Sequence, residues 1–312
     1  SFRVVNQSPW LLFSPAENGI IKFFDPSRGK FYFDETPELK RTFILCSKDG
    51  WILFSLFGGG PFLYNPFTLS KIDLPCYSIY PHFSVKFALS CASTSPDSVV
   101  FAIGPTEGLR SPGVSIGIFH PGDAKWTTVK YQNTDVALFH CGDGPVFFNG
   151  LFYCLSEFSD NLVGIFDPQK HTWSILPVPP PNHPHLSYGK DRAKHIVEFN
   201  GEPLLVCVSY PDKPIIFKLD LTQMKWVEME SLNGVTVFVS SQSSLSAIDV
   251  PKISRNSIYF SKPRCYGKSS NLYSLDDCSF HPVKQHHKEP SFPKTIWIKP
   301  PKMSHLLFEE LY

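Results

Sequence analysis

The feature that most constrains the fold is a strand, a tight turn and a returning strand, clearest at residues 163–177, which read VGIFDPQKHTWSILP. Apolar residues occupy both faces of the first strand, as expected of a strand buried between stacked sheets. Asp167 and Pro168 then break the pattern. Proline fixes φ for the second position of a type I turn, and aspartate bonds to amides two residues on. Trp173 and Ile175 follow with period two, so the stretch predicts a buried β-hairpin.

The same pattern recurs along the chain. It is found, with or without its proline, at residues 24–26 (FDP), 64–66 (YNP), 119–121 (FHP), 217–220 (FKLD) and 272–276 (LYSLD). The gaps between its successive markers are 40, 55, 47, 51 and 56 residues, the markers being Pro26, Pro66, Pro121, Pro168, Leu219 and Leu275. Periods of this size are typical of four-stranded propeller blades. The sequence therefore predicts an all-β fold, a β-propeller of six four-stranded blades.

We expect a single domain over residues 1–312 in which each repeat is one blade. Residues 9–34 supply only three strands, so the strand-like run 295–298 (TIWI) is expected to complete that blade and close the ring from both termini. Closure of this kind removes exposed sheet edges. The tail, 304–312, is expected to form a turn or two of helix or to fray. The predicted blades are 9–34 with 295–298, 43–75, 85–130, 136–177, 195–229 and 235–283.

The composition agrees with sheets that are covered on both faces. Aromatic residues make up 15% of the chain and charged residues only 18%, while 29 prolines and 19 glycines supply turns. The net charge is +1 without a basic block, which argues against nucleic acid or an anionic membrane as a partner. The sequence has neither an apolar run of transmembrane length nor a signal-peptide pattern.

The cysteine pattern favours a reducing compartment. Most of the 8 cysteines lie inside apolar, strand-like runs, where a free thiol acts as a small hydrophobic side chain. The sequence contains no Cys-x-x-Cys pair. We therefore expect unpaired thiols and a location in the cytoplasm or nucleus.

No residue set typical of catalysis or of a cofactor site is found in the sequence. The histidines at 183 and 185, and those at 281, 286 and 287, read as solvated loop residues, because zinc needs three or four ligands in fixed geometry. Carboxylates occur singly in turns, and no Gly-x-Ser-x-Gly elbow is present. The sequence predicts a protein that is not an enzyme and that holds neither metal nor cofactor.

Several short motifs, in this order along the chain, resemble the C-terminal domain of plant F-box proteins of the F-box/kelch-repeat type that carry the KIB-type β-propeller. They are residues 8–14 (SPWLLFS), the repeated FDP and YNP turns, 234–238 (GVTVF), 243–246 (SSLS), 256–260 (NSIYF) and 295–300 (TIWIKP). One departure is Ser261-Lys262-Pro263, where the family usually has Thr-Asp-Asp.

The resemblance implies a substrate receptor of a cullin-RING ubiquitin ligase of the SCF type. An F-box N-terminal to these residues, and not among them, would bind a Skp-type adaptor and through it cullin. The propeller would hold the protein to be ubiquitinated, without catalysing the reaction.

One rim of the predicted propeller is the expected contact surface for that protein. Loops between blades and loops joining second to third strands share this rim, and exposed Tyr and Arg favour protein interfaces. The alternative for each residue is that it covers neighbouring strands. The candidates are Tyr77, Tyr80, His82, Arg110, Phe158, His185, Tyr188, Tyr210, Arg264 and Tyr266.

Two other functions remain open from the sequence. The first is a propeller, binding or hydrolytic, with a carbohydrate or small molecule in its channel, which would need acidic or histidine side chains converging on the axis. The apolar first strands, such as residues 43–46 and 87–90, argue against it. The second is a scaffold with no role in ubiquitination.

Overall fold

The protein is built from short β-strands. The computed structural model describes residues 8–15, 18–77, 85–106, 113–132, 139–156, 162–183, 193–208, 212–247, 250, 253–261, 270–282, 295–300 and 309–310. The only helical element among them is a 3-10 turn, Pro37–Leu39. No helix in this part of the chain is long and apolar enough to span a membrane.

The described residues form twenty-six strands. The first thirteen are β1 Trp10–Phe13, β2 Ile20–Asp25, β3 Lys30–Glu35, β4 Thr42–Lys48, β5 Trp51–Leu56, β6 Pro61–Asn65, β7 Ser70–Asp73, β8 Lys86–Leu89, β9 Val100–Pro105, β10 Gly113–Phe119, β11 Thr127–Gln132, β12 Val146–Phe148 and β13 Leu151–Leu155. The others are β14 Val163–Asp167, β15 Thr172–Ile175, β16 Ala193–Phe199, β17 Glu202–Val208, β18 Ile215–Asp220, β19 Lys225–Met229, β20 Thr236–Val239, β21 Leu245–Ala247, β22 Ser257–Phe260, β23 Ser270–Ser274, β24 Ser279–Pro282, β25 Thr295–Ile298 and β26 Glu309–Glu310.

The strands form six sheets, three in each of two compact units. The terminal unit comprises residues 1–77 and 231–312, and the middle unit comprises residues 78–230. The terminal unit contains the first sheet (β25-β1-β2-β3-β26), the second (β4-β5-β6-β7) and the sixth (β21-β20-β22-β23-β24). The middle unit contains the third (β11-β10-β9-β8), the fourth (β12-β13-β14-β15) and the fifth (β16-β17-β18-β19). The expectation of one domain over 1–312, with the blade limits given above, stays a prediction.

Strand β25 completes the first sheet, as predicted for residues 295–298. β25 pairs antiparallel with β1, so that Trp10 lies opposite Ile298 and Phe13 opposite Thr295. All four residues of β25 are buried. A strand apolar on both faces is stable only between neighbours, and this is why TIWI inserts into the first sheet rather than lying on a surface.

Two strands go beyond the four expected in each blade. β26 adds to the outer side of β3, with Glu309 opposite Phe33, where the sequence suggested a helical turn or a frayed tail. In the sixth sheet, β20 runs parallel to β22, and β21 pairs antiparallel with β20. The remaining strand pairs within the six sheets are antiparallel.

The recurring turn joins the third and fourth strands of the first five sheets, with β25 counted as the first strand of the first sheet, and joins β23 to β24 in the sixth. The side-chain oxygens of Asp25, Asn65, Asp167 and Asp220 each accept a hydrogen bond from the amide two residues on, at 2.9 Å in every case. The predicted aspartate-capped turn is thereby confirmed. A further bond from the Lys170 amide lowers the pKa of Asp167. At His120 the direction reverses, since its own amide donates to Asp123.

Each unit has its own apolar clusters between sheets. One cluster in the terminal unit contains Trp10, Phe23 and Phe54, and one in the middle unit contains Phe101, Phe152 and Phe166. In the middle unit, Phe101 stacks on Phe152 with ring centroids 4.3 Å apart. The aromatic content of the sequence is therefore used mainly in filling the space between sheets.

The glycine of the VGIFD strand, Gly164, leaves room for a tryptophan ring from the neighbouring strand. A Cβ atom on this residue would lie 2.0 Å from the ring of Trp173 on the neighbouring strand β15. The indole ring lies directly over the backbone of β14, so any larger residue would push it away.

Candidate protein-interaction surface

Of the ten predicted rim residues, the described part of the chain includes only Tyr77. Its side chain is 6% exposed, and burial raises its pKa. Burial favours the alternative for this residue, namely that it covers neighbouring strands. The others lie outside the described residues, and their role stays a prediction: Tyr80, His82, Arg110, Phe158, His185, Tyr188, Tyr210, Arg264 and Tyr266.

An exposed apolar patch lies at one end of the second sheet. Phe57 is 63% exposed, Phe43 43% and Leu56 39%. Together with Arg41, these residues are called the Arg41–Phe57 patch below. Large apolar side chains exposed side by side mark binding surfaces more often than isolated ones do.

The strand order of the second sheet brings the patch together. β4 begins and β5 ends at the same end of the antiparallel sheet, with Thr42 opposite Leu56 and Phe43 opposite Ser55. The Phe57 amide donates to the carbonyl of Arg41 at 3.0 Å, which holds the segment before β4 against the turn between β5 and β6. Gly58 adopts φ +78° in that turn, as expected for a glycine-rich hairpin turn. The patch therefore lies on a between-blade segment and a second-to-third-strand turn, the two classes of loop expected on the rim.

Arg41 is the cationic member of the patch. Its guanidinium carbon lies 5.3 Å from the centroid of the Phe57 ring, within cation–π range, and the Phe43 and Phe57 rings are 6.2 Å apart. Arg41 also adopts φ +56°, a left-handed conformation that is unusual for a residue other than glycine, asparagine or aspartate. The backbone thus holds Arg41 in an unfavourable conformation at the place where its side chain covers Phe57.

The nearby charges leave the patch positive. Lys40 and Arg41 are both exposed. The exposed Glu38 lies two residues before Lys40, and its charge and that of Asp34 also help raise the pKa of Tyr64, a shift caused first by burial of the phenol. At the patch end of the sheet, Asp73 forms an ion pair with Lys71 at 2.8 Å. Lys40 and Arg41 form no ion pair with any described residue.

Sequence reasoning did not find the patch. It assigned residues 43–46 to an apolar inner strand and treated Gly58-Gly59-Gly60 only as a turn. The available signal was the combination of Phe57 with three glycines that carry no side chains to cover it. Whether a side chain at the beginning of a strand stays exposed depends on which segments pack beside it. The exposure of Phe43 could therefore not be predicted from the sequence pattern.

The buried polar groups link sheets to one another. In the middle unit, His195 Nδ1 lies 2.9 Å from the Asp143 carboxylate, and both side chains are buried. In the terminal unit, the Ser47 hydroxyl donates to the carbonyl of Trp297 at 2.7 Å and contacts the Ser243 hydroxyl at 3.1 Å. Within the described ranges, no group of three His, Cys, Asp or Glu side chains is arranged to hold a metal ion.

Two histidines that the sequence placed in solvated loops have carboxylate partners. His183 is only 13% exposed in its side chain and lies 3.5 Å from Glu228, so it is a structural contact. His281 lies 2.7 Å from Asp277 on the surface of the sixth sheet. Hydrogen bonds from Ser279 and His281 lower the pKa of Asp277. Among the residues that the structure describes, neither pair has the additional ligands that a metal site requires.

Comparison with known families shows to which family the chain belongs. The family model described as the KIB1-4 beta-propeller matches residues 23–287, which is most of the chain. The chain belongs to the KIB1-4 β-propeller family. The six sheets described above are accordingly the blades of a six-bladed β-propeller, and the fold predicted from the recurring turn is confirmed.

Relatives of this KIB1-4 propeller carry F-box names. An F-box/kelch-repeat protein of Arabidopsis thaliana is 38% identical, with 97% of this chain and 85% of the relative covered. An F-box protein of the same plant is 29% identical over 96% of this chain and 79% of its own length. Another F-box/kelch-repeat protein is 32% identical over 89% of this chain and 75% of its own length. The resemblance drawn from short motifs is therefore confirmed at the level of the family.

Within the KIB1-4 family match, residues 23–287 include the whole Arg41–Phe57 patch and both buried polar links except Trp297. The patch is thus part of the propeller itself and does not belong to an added segment. Binding surfaces of such folds lie on loops positioned by a rigid scaffold, and the patch has this location.

Proposed function

We propose that this propeller is the substrate-recognition domain of an F-box protein in a cullin-RING ubiquitin ligase of the SCF type. The propeller holds the protein to be ubiquitinated. An F-box N-terminal to it binds a Skp-type adaptor and, through the adaptor, cullin. The domain contributes binding and orientation and has no catalytic residues of its own.

The observation that carries the proposal is the alignment, over 97% of this chain, with a relative named as an F-box/kelch-repeat protein. The Arg41–Phe57 patch adds physical support, because it combines exposed aromatic and guanidinium groups of the kind that dominate protein interfaces. A location in the cytoplasm or nucleus belongs to the same proposal. The free state of seven described cysteines agrees with a reducing compartment.

Affinity purification of the full-length protein from its own tissue, with the proteasome inhibited, tests this function. Three versions are compared: the unaltered protein, a variant with Arg41→Glu and Phe57→Ser, and a variant with alanine at the predicted rim positions Arg110, Tyr188, Arg264 and Tyr266. Adaptor and cullin are expected with all three versions. A further protein, the target, is expected to be lost from at least one variant.

The outcomes separate the two halves of the proposal. Failure to recover adaptor and cullin with any version would remove the ligase assignment. Recovery of adaptor and cullin, with a target that both variants retain, would leave the ligase role in place and move the recognition surface away from both sets of residues.

A further inference from the structure

The exposed apolar side chains of the described residues are concentrated at one place. Six large hydrophobic side chains are exposed, and three of them, Phe43, Leu56 and Phe57, belong to the Arg41–Phe57 patch. The other three are single residues on separate strands or turns, namely Leu69, Val129 and Val227. Single exposed apolar residues are ordinary, whereas a group at one sheet end indicates a surface that a partner covers.

Arg41 is one of ten described non-glycine residues with positive φ, so its backbone conformation alone does not mark a site. A left-handed conformation costs an L-residue about 1 kcal/mol or more, and glycine at this position would avoid the cost. A glycine would also remove the guanidinium from its place 5.3 Å above the Phe57 ring.

Charge at the patch selects the partner. Lys40 and Arg41 form no ion pair with a carboxylate of the described residues. Asp73 is already paired with Lys71, and the exposed Glu38 leaves the segment 37–41 with two cations and one anion. Arginine binds carboxylates through two parallel N–H donors, in a geometry that its planar group makes specific. An anionic group placed beside an apolar side chain would match this surface in both respects.

We propose that the Arg41–Phe57 patch binds a segment of the target protein in which an apolar side chain lies next to an aspartate or glutamate. The apolar side chain packs against Phe43, Leu56 and Phe57, and the carboxylate accepts hydrogen bonds from Arg41. Naming this segment as part of the ubiquitination target rests on the proposed function. The binding chemistry itself rests on the patch.

A peptide fits the patch better than a nucleic acid does. Single-stranded nucleic acids are bound in grooves where several cations follow the phosphates and bases stack on aromatic faces. The patch contains one cation, Arg41, with Lys40 next to it in the chain, and Arg41 covers the Phe57 face that a base would need. The net charge of +1 also provides no wider basic field.

Selection of a random peptide phage library on the purified 312-residue chain tests the proposal without any ligase component. Enriched peptides are synthesised and their affinities measured for the unaltered protein and for Arg41→Glu, Phe57→Ser and Leu69→Ser. Leu69 is a matched control, because it is exposed on the same sheet, in the turn between β6 and β7 and away from the patch. Thermal unfolding checks that each variant is folded.

The expected consensus is an apolar residue next to Asp or Glu. Arg41→Glu and Phe57→Ser should each weaken binding by about tenfold or more, and Leu69→Ser should not change it. A peptide with Lys in place of the acidic residue should regain affinity for Arg41→Glu, a charge exchange that a merely structural role of Arg41 would not produce.

Enrichment of no peptide, a consensus without an acidic residue, or affinities unaffected by both patch variants would overturn the proposal. Competition of the selected peptides by a single-stranded RNA oligonucleotide would also overturn it, in favour of nucleic acid. Because adaptor and cullin are absent from this assay, its failure is distinct from failure of the ligase assignment.

Discussion

The two units of the molecule tie neighbouring sheets together by different chemistry. In the terminal unit, the Ser47 hydroxyl joins the second sheet to the Trp297 carbonyl in the first sheet and to Ser243 in the sixth. Trp297 Nε1 and the Thr295 hydroxyl then donate to carbonyls of the sixth sheet, at 3.2 and 3.1 Å. In the middle unit, the buried pair of Asp143 and His195 joins the fourth sheet to the fifth.

The two kinds of link should differ in how much stability the protein loses when one partner is removed. A hydroxyl that donates to a carbonyl is neutral, so its loss leaves a neutral unsatisfied group, at a cost of about 1 to 2 kcal/mol. A buried carboxylate that loses its partner is left as an uncompensated charge, which is costly in a low-dielectric interior. The terminal unit should therefore tolerate loss of a single polar partner better than the middle unit does.

The largest effect is expected from His195→Leu in the middle unit. It leaves the Asp143 carboxylate buried without its partner and should lower the free energy of unfolding by about 3 kcal/mol in a denaturant titration. His120→Leu is the control, since His120 faces Asp123 in an exposed pair and should cost less than about 1 kcal/mol. Equal costs for the two variants would contradict the comparison.

Alkaline pH tests the terminal unit, because Tyr259 packs against Phe238 and Trp297 beside the hydroxyl network. Burial raises the pKa of Tyr259 to about 12 from 10.0. The folded state thus favours the neutral phenol, and this stability is complete below pH 10 and is lost as pH rises through about 12. The alkaline loss of stability should be smaller in Tyr259→Phe than in the unaltered protein by about 2 kcal/mol, while other buried tyrosines such as Tyr273 lose stability equally in both. An identical alkaline loss in both proteins would assign the effect to other groups.

Ser47→Ala should have a moderate effect. It removes the donor to the Trp297 carbonyl and the contact with Ser243, and we expect a loss of about 1 to 2 kcal/mol. Neither partner titrates, so the loss should be the same in acidic and neutral buffer. Ser70→Ala, at an exposed serine with only local hydrogen bonds, should be nearly neutral. If Ser47→Ala lost more stability than His195→Leu, the expected order of the two units would be reversed.

The smallest effect is expected from the same substitution at Ser156 in the middle unit. Its hydroxyl is fully buried and has no hydrogen-bond partner among the residues that the structure describes. Ser156→Ala removes a polar group that gains nothing in the folded state, so stability should stay unchanged or rise by up to about 1 kcal/mol. Thermal unfolding beside Ser47→Ala measures the contrast, and a marked loss at Ser156 would show that its hydroxyl has a partner.

The repeating framework of strands and turns could be predicted from the sequence. Four of the recurring turns carry a residue, namely Asp25, Asn65, Asp167 or Asp220, whose side chain bonds to the amide two residues on. Strand β25 is apolar on both faces and has to be covered by neighbours, which is why its pairing with β1 could be predicted. Both are local properties, fixed by chain geometry within a few residues or by hydrophobicity alone.

The polar links between sheets and the exposure of the patch depend on how the sheets pack, and could not be predicted from the sequence. Asp143 and His195 are 52 residues apart, and Ser47 and Trp297 are 250 apart, so their meeting depends on how whole sheets pack. The exposure of Phe43 and Phe57 likewise follows from which segments end at the same edge of the second sheet. A pattern of residue types fixes which side chains prefer burial, but the packing of sheets decides which of them find a neighbour, and the rest remain on the surface.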